Sequence, residues 1–250
     1  MGAAARIRSG LALLRPRDLA IRFDRCPYCG PTVFVRLRRE AIGVRCARCA
    51  ASAIHLVMGW ALRDRVPDLA GRDVCEFSAR GPLAEFLKRT AKTAALSEYF
   101  ADVEPGTYLD GVRCEDVQRL TYADASFDVV THTEVLEHVP DDARAFAELH
   151  RVLRPGGTML FTVPLYGGYP TIERARLRGG AIEHFMEPAY HIDPLRGAGI
   201  LAFRDYGLDI VERLRAAGFA EASVVASKRR IPWLGDFPVI LAKKSAKDIA

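Results

Sequence analysis

Cys26, Cys29, Cys46 and Cys49 stand in "CPYCG" and "CARCA", two Cys-x-x-Cys pairs with sixteen residues between them. Two residues between cysteines let both thiolates of a pair reach one ion, and a second pair completes a tetrahedron. Four thiolates leave no open coordination position. The expected Zn2+ is therefore structural and takes no part in catalysis. Cys75 and Cys114 lie in apolar segments without metal spacing and read as small buried hydrophobes.

The stretch between the pairs, "PTVFVRLRREAIGVR", alternates apolar and polar residues around Val33, Val35 and Leu37 and turns at Gly43. That pattern predicts a β-hairpin with one cysteine pair at each end, a zinc ribbon. "AIHLVMGWALRDRV" follows as a short helix whose Met58, Trp60 and Leu62 make no single stripe.

At 250 residues the chain has room for one sizeable α/β domain and a small appendage. Residues 1–65 hold 13 Lys and Arg against 4 Asp and Glu, and the remainder holds 23 against 27. A basic head on a mildly acidic body suits an anionic partner such as nucleic acid, or simply a solvated arginine-rich surface, the reading favoured here. No apolar run approaches the roughly 20 residues that cross a bilayer, and "LALL" is too short for a signal peptide's core. The expectation is a cytoplasmic protein without membrane attachment, in which disulfides are disfavoured.

From residue 73 strands and helices alternate. "DVCEF", "TAALSEYF", "GVRCED" and "FDVVTHT" read as strands, and "PLAEFLKR" as a helix opened by Pro82. "PDDARAFAELHRVLRPGG" carries acids at its positive end and arginines at its negative end. Pro155-Gly156-Gly157 is expected to stop it before the strand "TMLFTVP". "GLDIVERLRAAGF" repeats the helical design, and "ASVVAS" and "FPVILAKK" close the sheet. The pattern predicts a doubly wound, mainly parallel α/β sheet that binds ligands at the C-terminal ends of its strands.

The run "EDVQRLTYADASFDVVTHTEVLEHVPDDARAFAELHRVLRPGGTMLFTVP" resembles the core of class I S-adenosylmethionine-dependent methyltransferases of the type 11-like group, in the order and spacing of "SFD", "EVLEHV" and "RVLRPGG". The resemblance implies a seven-stranded Rossmann-like sheet and S-adenosylmethionine as cofactor. It implies that Glu76 holds the cofactor's methionine ammonium, that Glu98 accepts from the ribose hydroxyls, and that Asp116 accepts from the adenine amino group. Val117 then supplies a backbone N–H and an apolar wall, while Thr133 and Glu134 surround the methionine and the sulfonium.

The family's first loop is an acid followed by Gly-x-Gly-x-Gly. Here it is Glu76-Phe77-Ser78-Ala79-Arg80-Gly81-Pro82, where Gly81 alone of the glycines remains. Ser78 could hydrogen-bond the methionine carboxylate. Arg80 either points outward, clamps that carboxylate, or fills the pocket of a domain that has lost its cofactor.

About forty residues of "LYGGYPTIERARLRGGAIEHFMEPAYHIDPLRGAGILAFRDYG" separate the fifth strand from the last helix, long enough to be a substrate-side insertion. It holds His184, Tyr190 and His191, with Glu183, Glu187 and Asp193 nearby. A methyl acceptor oxygen or nitrogen benefits from a base, and His184 or His191 suits that role near neutral pH. His138 in "EVLEHV" is a further candidate, or an anchor for its loop.

The expected organisation is a basic segment over 1–20, a zinc-ribbon module with its helix over 21–66, and a methyltransferase domain over 67–250 with an insertion at about 165–206. The favoured function is methyl transfer to O or N of a small or medium metabolite, with a protein partner on the ribbon as a further possibility. The alternatives are an RNA methyltransferase docking through the basic head, and a non-catalytic scaffold.

Overall fold

The computed structural model describes residues 13–167, 170–192, 199–226, 229–235 and 237–248. Asp193 and the first twelve residues of the basic head lie outside them.

The cysteine-rich head forms an antiparallel sheet of β1 (Ala20–Cys26), β2 (Gly30–Arg36) and β3 (Val44–Cys46), in that order. The expected hairpin is β2 and β3. β1 is a further strand ahead of the first cysteine pair, with Cys26 in register opposite Gly30. Gly30 adopts φ +79°, a turn that a side chain would strain. α1 (Ala53–Arg65) follows.

The main domain runs β4 (Asp73–Glu76), α2 (Pro82–Thr90), β5 (Thr93–Glu98), β6 (Tyr108–Leu109), β7 (Val112–Cys114), β8 (Phe127–Thr133), α3 (Asp142–Val152) and β9 (Leu153–Thr162). The insertion is β10 (Ile172–Glu173), β11 (Ala175–Arg178), β12 (Ala181–His184), β13 (Tyr190–Ile192), β14 (Gly199–Leu201) and β15 (Arg204–Asp205), paired as three antiparallel ribbons β10–β15, β11–β12 and β13–β14. α4 (Ile210–Ala216), β16 (Glu221–Val225) and β17 (Val239–Lys243) complete the chain.

The central sheet has eight strands in the order β16-β17-β9-β8-β4-β5-β7-β6. The five strands from β9 to β7 are parallel. β17 opposes both β9 and β16, so β16 runs with the parallel set. The eighth strand, beyond the seven expected, is the two-residue β6. Pro155-Gly156-Gly157 lies within β9 rather than ahead of it. The helix ends at Val152 and the chain is already extended at Leu153, which pairs with Phe127 before an irregularity in the register.

β4 leads through α2 to β5 on one side, and β8 leads through α3 to β9 on the other. Right-handed crossovers in opposite directions put these helices on opposite faces. The strand order reverses between β4 and β8, and a crevice opens there at the strands' C-terminal ends.

α1 lacks one apolar stripe because it is buried on several sides. Leu56, Val57, Met58, Ala61 and Leu62 are all buried as it packs on β8, β9, β17 and α2. Tyr28 of the first cysteine pair lies edge-on to Phe86 with centroids 5.4 Å apart. A Cβ on Gly59 would fall 2.6 Å from the Tyr28 ring, so the glycine makes room for it. Tyr28 Oη also donates to the His55 carbonyl, and Arg63 Nε donates to the Pro27 carbonyl at 2.6 Å. The cysteine-rich sheet is thus fixed to α1, and one continuous core joins it to the main domain.

Candidate active site

Glu76 is the last residue of β4 and lies just inside the crevice, 1% exposed. Thr131 Oγ1 on β8 donates to its carboxylate. Burial raises Glu76 to about 8 against that hydrogen bond, and the Glu98 carboxylate adds to the rise. Glu98 ends β5 next door, and its Oε1 accepts from the Ala79 N–H at 3.1 Å. Asp116 follows β7 and accepts from the Gln118 N–H at 2.9 Å and from Gln118 Nε2 at 3.1 Å, which turns the chain there. Val117 is buried beside it. Three acids therefore end, or directly follow, three adjacent parallel strands.

The loop from Phe77 to Gly81 is closed by its own hydrogen bonds. Ser78 Oγ donates to the Arg80 carbonyl at 3.0 Å. Gly81 takes φ +100° as the residue before α2, and the nearest atom to a Cβ built there is His55 Nε2 at 3.8 Å. The single glycine thus sits where the backbone needs left-handed freedom. Arg80 is exposed.

Thr133 ends β8, and Glu134 follows with φ +53°, its N–H donating to the Thr162 carbonyl at 2.9 Å. Burial raises Glu134 to about 7, and the nearby Glu137 carboxylate adds to the rise. Glu137 and His138 lie on the 3-10 turn Leu136–His138. His191 on β13 approaches the same place, with Nδ1 3.7 Å from Glu137 Oε1. That carboxylate raises His191 against the effect of burial. Tyr190, next to it, is exposed, and so is His184 on the β11–β12 hairpin, in register opposite Ala175. The structure therefore separates His184 from His191 and brings only His191 to the turn after β8. Glu137 is the residue that sequence reasoning passed over. Its signal was an acid three residues after Glu134 with a histidine directly behind it.

The four cysteines converge in the cysteine-rich head. Their sulfurs lie within 4.8 Å of one another, with Cys26–Cys49 at 3.6 Å and Cys29–Cys46 at 3.5 Å. The Tyr28 and Cys49 N–H groups each lie 3.5 Å from a sulfur, those of Cys26 and Cys46. Metal–sulfur bonds of about 2.3 Å in a tetrahedron would place sulfurs about 3.7 Å apart, so this donor set fits one ion.

Residues 81–161 match the family described as a methyltransferase domain. A protein of Mycolicibacterium smegmatis described as a probable S-adenosylmethionine-dependent methyltransferase is 35% identical over 178 residues, 66% of this chain and 68% of its own. This chain belongs to the S-adenosylmethionine-dependent methyltransferases. The ubiquinone biosynthesis O-methyltransferase of Coxiella burnetii is 38% identical over 50 residues, 20% of this chain and only 21% of that one. Among solved structures, an S-adenosylmethionine-dependent methyltransferase of Mesorhizobium loti aligns with 74% of this chain and 96% of its own at 18% identity and a TM-score of 0.48. In this methyltransferase no helix among the described residues is long and apolar enough to cross a membrane.

Proposed function

We propose that this methyltransferase binds S-adenosylmethionine across the C-terminal ends of β4, β5 and β7 and passes its methyl group to an oxygen or nitrogen of a small or medium metabolite. The observation that carries this is the row of Glu76, Glu98 and Asp116 at three adjacent strand ends beside the switch point. The cofactor supplies a methyl group already activated on a sulfonium. Glu76 faces the ammonium, Glu98 the ribose and Asp116 the adenine amino group, while Val117 walls the ring and Thr133 and Glu134 flank the methionine. The donor chemistry fits: a cofactor with two positive centres meets a row of carboxylates, of which Glu76 and Asp116 make no ion pair with arginine or lysine among the described residues. Ser78 is tied to the Arg80 carbonyl and the arginine side chain is exposed, which supports a working loop over a plugged one. His191, with Tyr190 beside it, marks the acceptor side, and His184 does not. The four cysteines hold a structural Zn2+.

A second reading, an RNA acceptor docked on the basic head, draws on Ile21 and Phe23, which are 65% and 83% exposed on β1 beside Arg22 and Arg25.

Calorimetric titration with S-adenosylhomocysteine tests the first reading. Binding at about micromolar Kd, weakened about tenfold or more by Glu98→Ala, is expected, since a lost hydrogen bond to an ionised group is worth about 1.5 kcal/mol or more. No binding by the zinc-loaded wild type would overturn it.

A further inference from the structure

Glu137, His138 and His191 each offer a ligand atom, and these atoms lie within 4.8 Å of one another. Glu137 is 1% exposed, yet among the described residues neither of its carboxylate oxygens has a hydrogen-bond partner. Its ion pairs there are with His138 Nε2 and His191 Nδ1, each 3.7 Å from Oε1. Glu134 Oε1 is also buried without a partner, and Glu134 makes no ion pair among the described residues.

The tautomer of His138 sharpens the problem. Its Nδ1 lies 2.8 Å from the Leu201 carbonyl, which can only accept, so Nδ1 carries the proton. In the neutral ring Nε2 is then a bare lone pair facing the Glu137 carboxylate. Two electron-rich atoms are then held 3.7 Å apart, one of them on a carboxylate that is 1% exposed. A buried carboxylate in that state calls for a cation, which a metal ion would supply to both imidazoles at once and a protonated His191 from one side only. Histidines that ligate metals characteristically donate their other N–H to a backbone carbonyl, as His138 does.

We infer that Glu137, His138 and His191, with Glu134 beside them, form a second metal site at the end of β8 that takes one divalent first-row cation such as Mn2+, Co2+ or Zn2+. Two imidazoles favour these ions over Mg2+ or Ca2+. Bonds of about 2.1 Å put neighbouring donors about 3.0 to 3.5 Å apart, so the donors, 3.7 Å from Glu137 to each imidazole and within 4.8 Å overall, need to draw together modestly. The site is built from two separate parts of the chain. Glu137 and His138 come from the turn after β8, and His191 comes from the insertion, which is pinned there by the Phe203 N–H donating to the Glu137 carbonyl at 2.7 Å. Unlike the four cysteines, these ligands leave positions open. If the proposed function holds, an acceptor oxygen takes one of them and the ion lowers its pKa, so that His191 serves as a ligand instead of a free base.

The test is Co2+ titration of the zinc-loaded protein, followed by visible absorption. One equivalent per chain with weak d–d bands and no sulfur charge-transfer band is expected, because the thiolates stay on zinc. His191→Ala and Glu137→Gln should each weaken binding about tenfold or more, and His184→Ala should leave it unchanged. No bands up to millimolar Co2+, or full retention in both variants, overturns the site. S-adenosylhomocysteine titration of the same samples separates the two claims. Retained cofactor binding shows that each variant is folded and that only the metal inference is at stake. Cobalt binding without cofactor binding would sink the proposed function and leave the metal site standing.

Discussion

The two donor clusters of this protein differ in how far the protein itself satisfies them. The four cysteine sulfurs face one another, with two backbone amides and the Thr32 hydroxyl against them. After β8, Glu134 and Glu137 are buried with carboxylate oxygens unpaired among the described residues and with like charges side by side. A saturated set can only hold structure, because no position is left for a substrate. An unsaturated set is held in place by the rest of the fold and is completed by whatever binds. The same contrast separates a fixed core from a working site in general: buried polar groups are satisfied except where function requires otherwise.

Stripping the cysteines breaks the comparison from the structural side and should have the largest effect. The cysteine-rich sheet buries few side chains of its own apart from Phe34, Val44 and the cysteines, and Tyr28 is its plug into α1. Structural zinc contributes on the order of 10 kcal/mol to small domains of this kind. A strong chelator, or Cys46→Ser, should lower the unfolding midpoint by about 10 °C or more and loosen the loop at Gly81, which α1 touches through His55. Differential scanning calorimetry with and without chelator checks it. An unchanged midpoint would mean that the cysteines are not structural.

Glu76 tests the unsaturated side. Burial and Glu98 let it keep its proton to about 8, whereas an unfolded glutamate gives it up near 4.5. Between those values the native state binds the extra proton, so stability falls as pH rises across that window. The full effect is on the order of 4 kcal/mol. Denaturant melts of the cofactor-free protein from pH 5 to pH 8 should show this slope, and Glu76→Gln should flatten most of it. An ammonium arriving at Glu76 reverses the balance and ionises it. Binding of S-adenosylhomocysteine at pH 7 should therefore release protons, seen as an enthalpy that changes with the buffer's heat of ionisation. Glu76→Gln should remove that dependence. A wild type that releases no protons would show that the ligand's ammonium lies elsewhere.

Much of this was legible in the chain. The cysteine spacing, the alternation from residue 73 and the acids after three strands depend on local pattern, and the structure keeps each of them. Periodicity also found α2, α3 and α4, since each has a one-sided apolar stripe. It found α1 without a stripe to support it, because a helix buried on several sides has none to show. It read Pro155-Gly156-Gly157 as the stop ahead of the strand, because such residues form turns locally, whereas pairing on either side, Leu153 with Phe127 and Thr158 onward with β8 and β17, carries the strand through them. It could not choose between His184 and His191, since only the folding of the insertion onto Glu137 separates them. Glu137 itself was hidden by its setting: an acid between apolar residues reads as a solvated turn until the fold buries it.

Arg80 carries the smallest expected effect and the sharpest consequence. An arginine in the cofactor loop is the obvious residue to supply a cation to the strand-end acids. Its side chain is exposed instead, while its carbonyl accepts from Ser78 and its neighbour's N–H holds Glu98. The backbone of the loop reaches Glu98, and the exposed guanidinium is expected to stay out of the cofactor's contacts. Arg80→Gly should then change S-adenosylhomocysteine affinity by no more than about threefold, under 1 kcal/mol, and should leave the proton release on binding intact. Affinity lost tenfold or more would make Arg80 a clamp on the cofactor's carboxylate. Affinity that arises only in the variant would make it a plug. Either result would end the contrast between a saturated and an unsaturated cluster, because the cleft would then carry its own counter-charge.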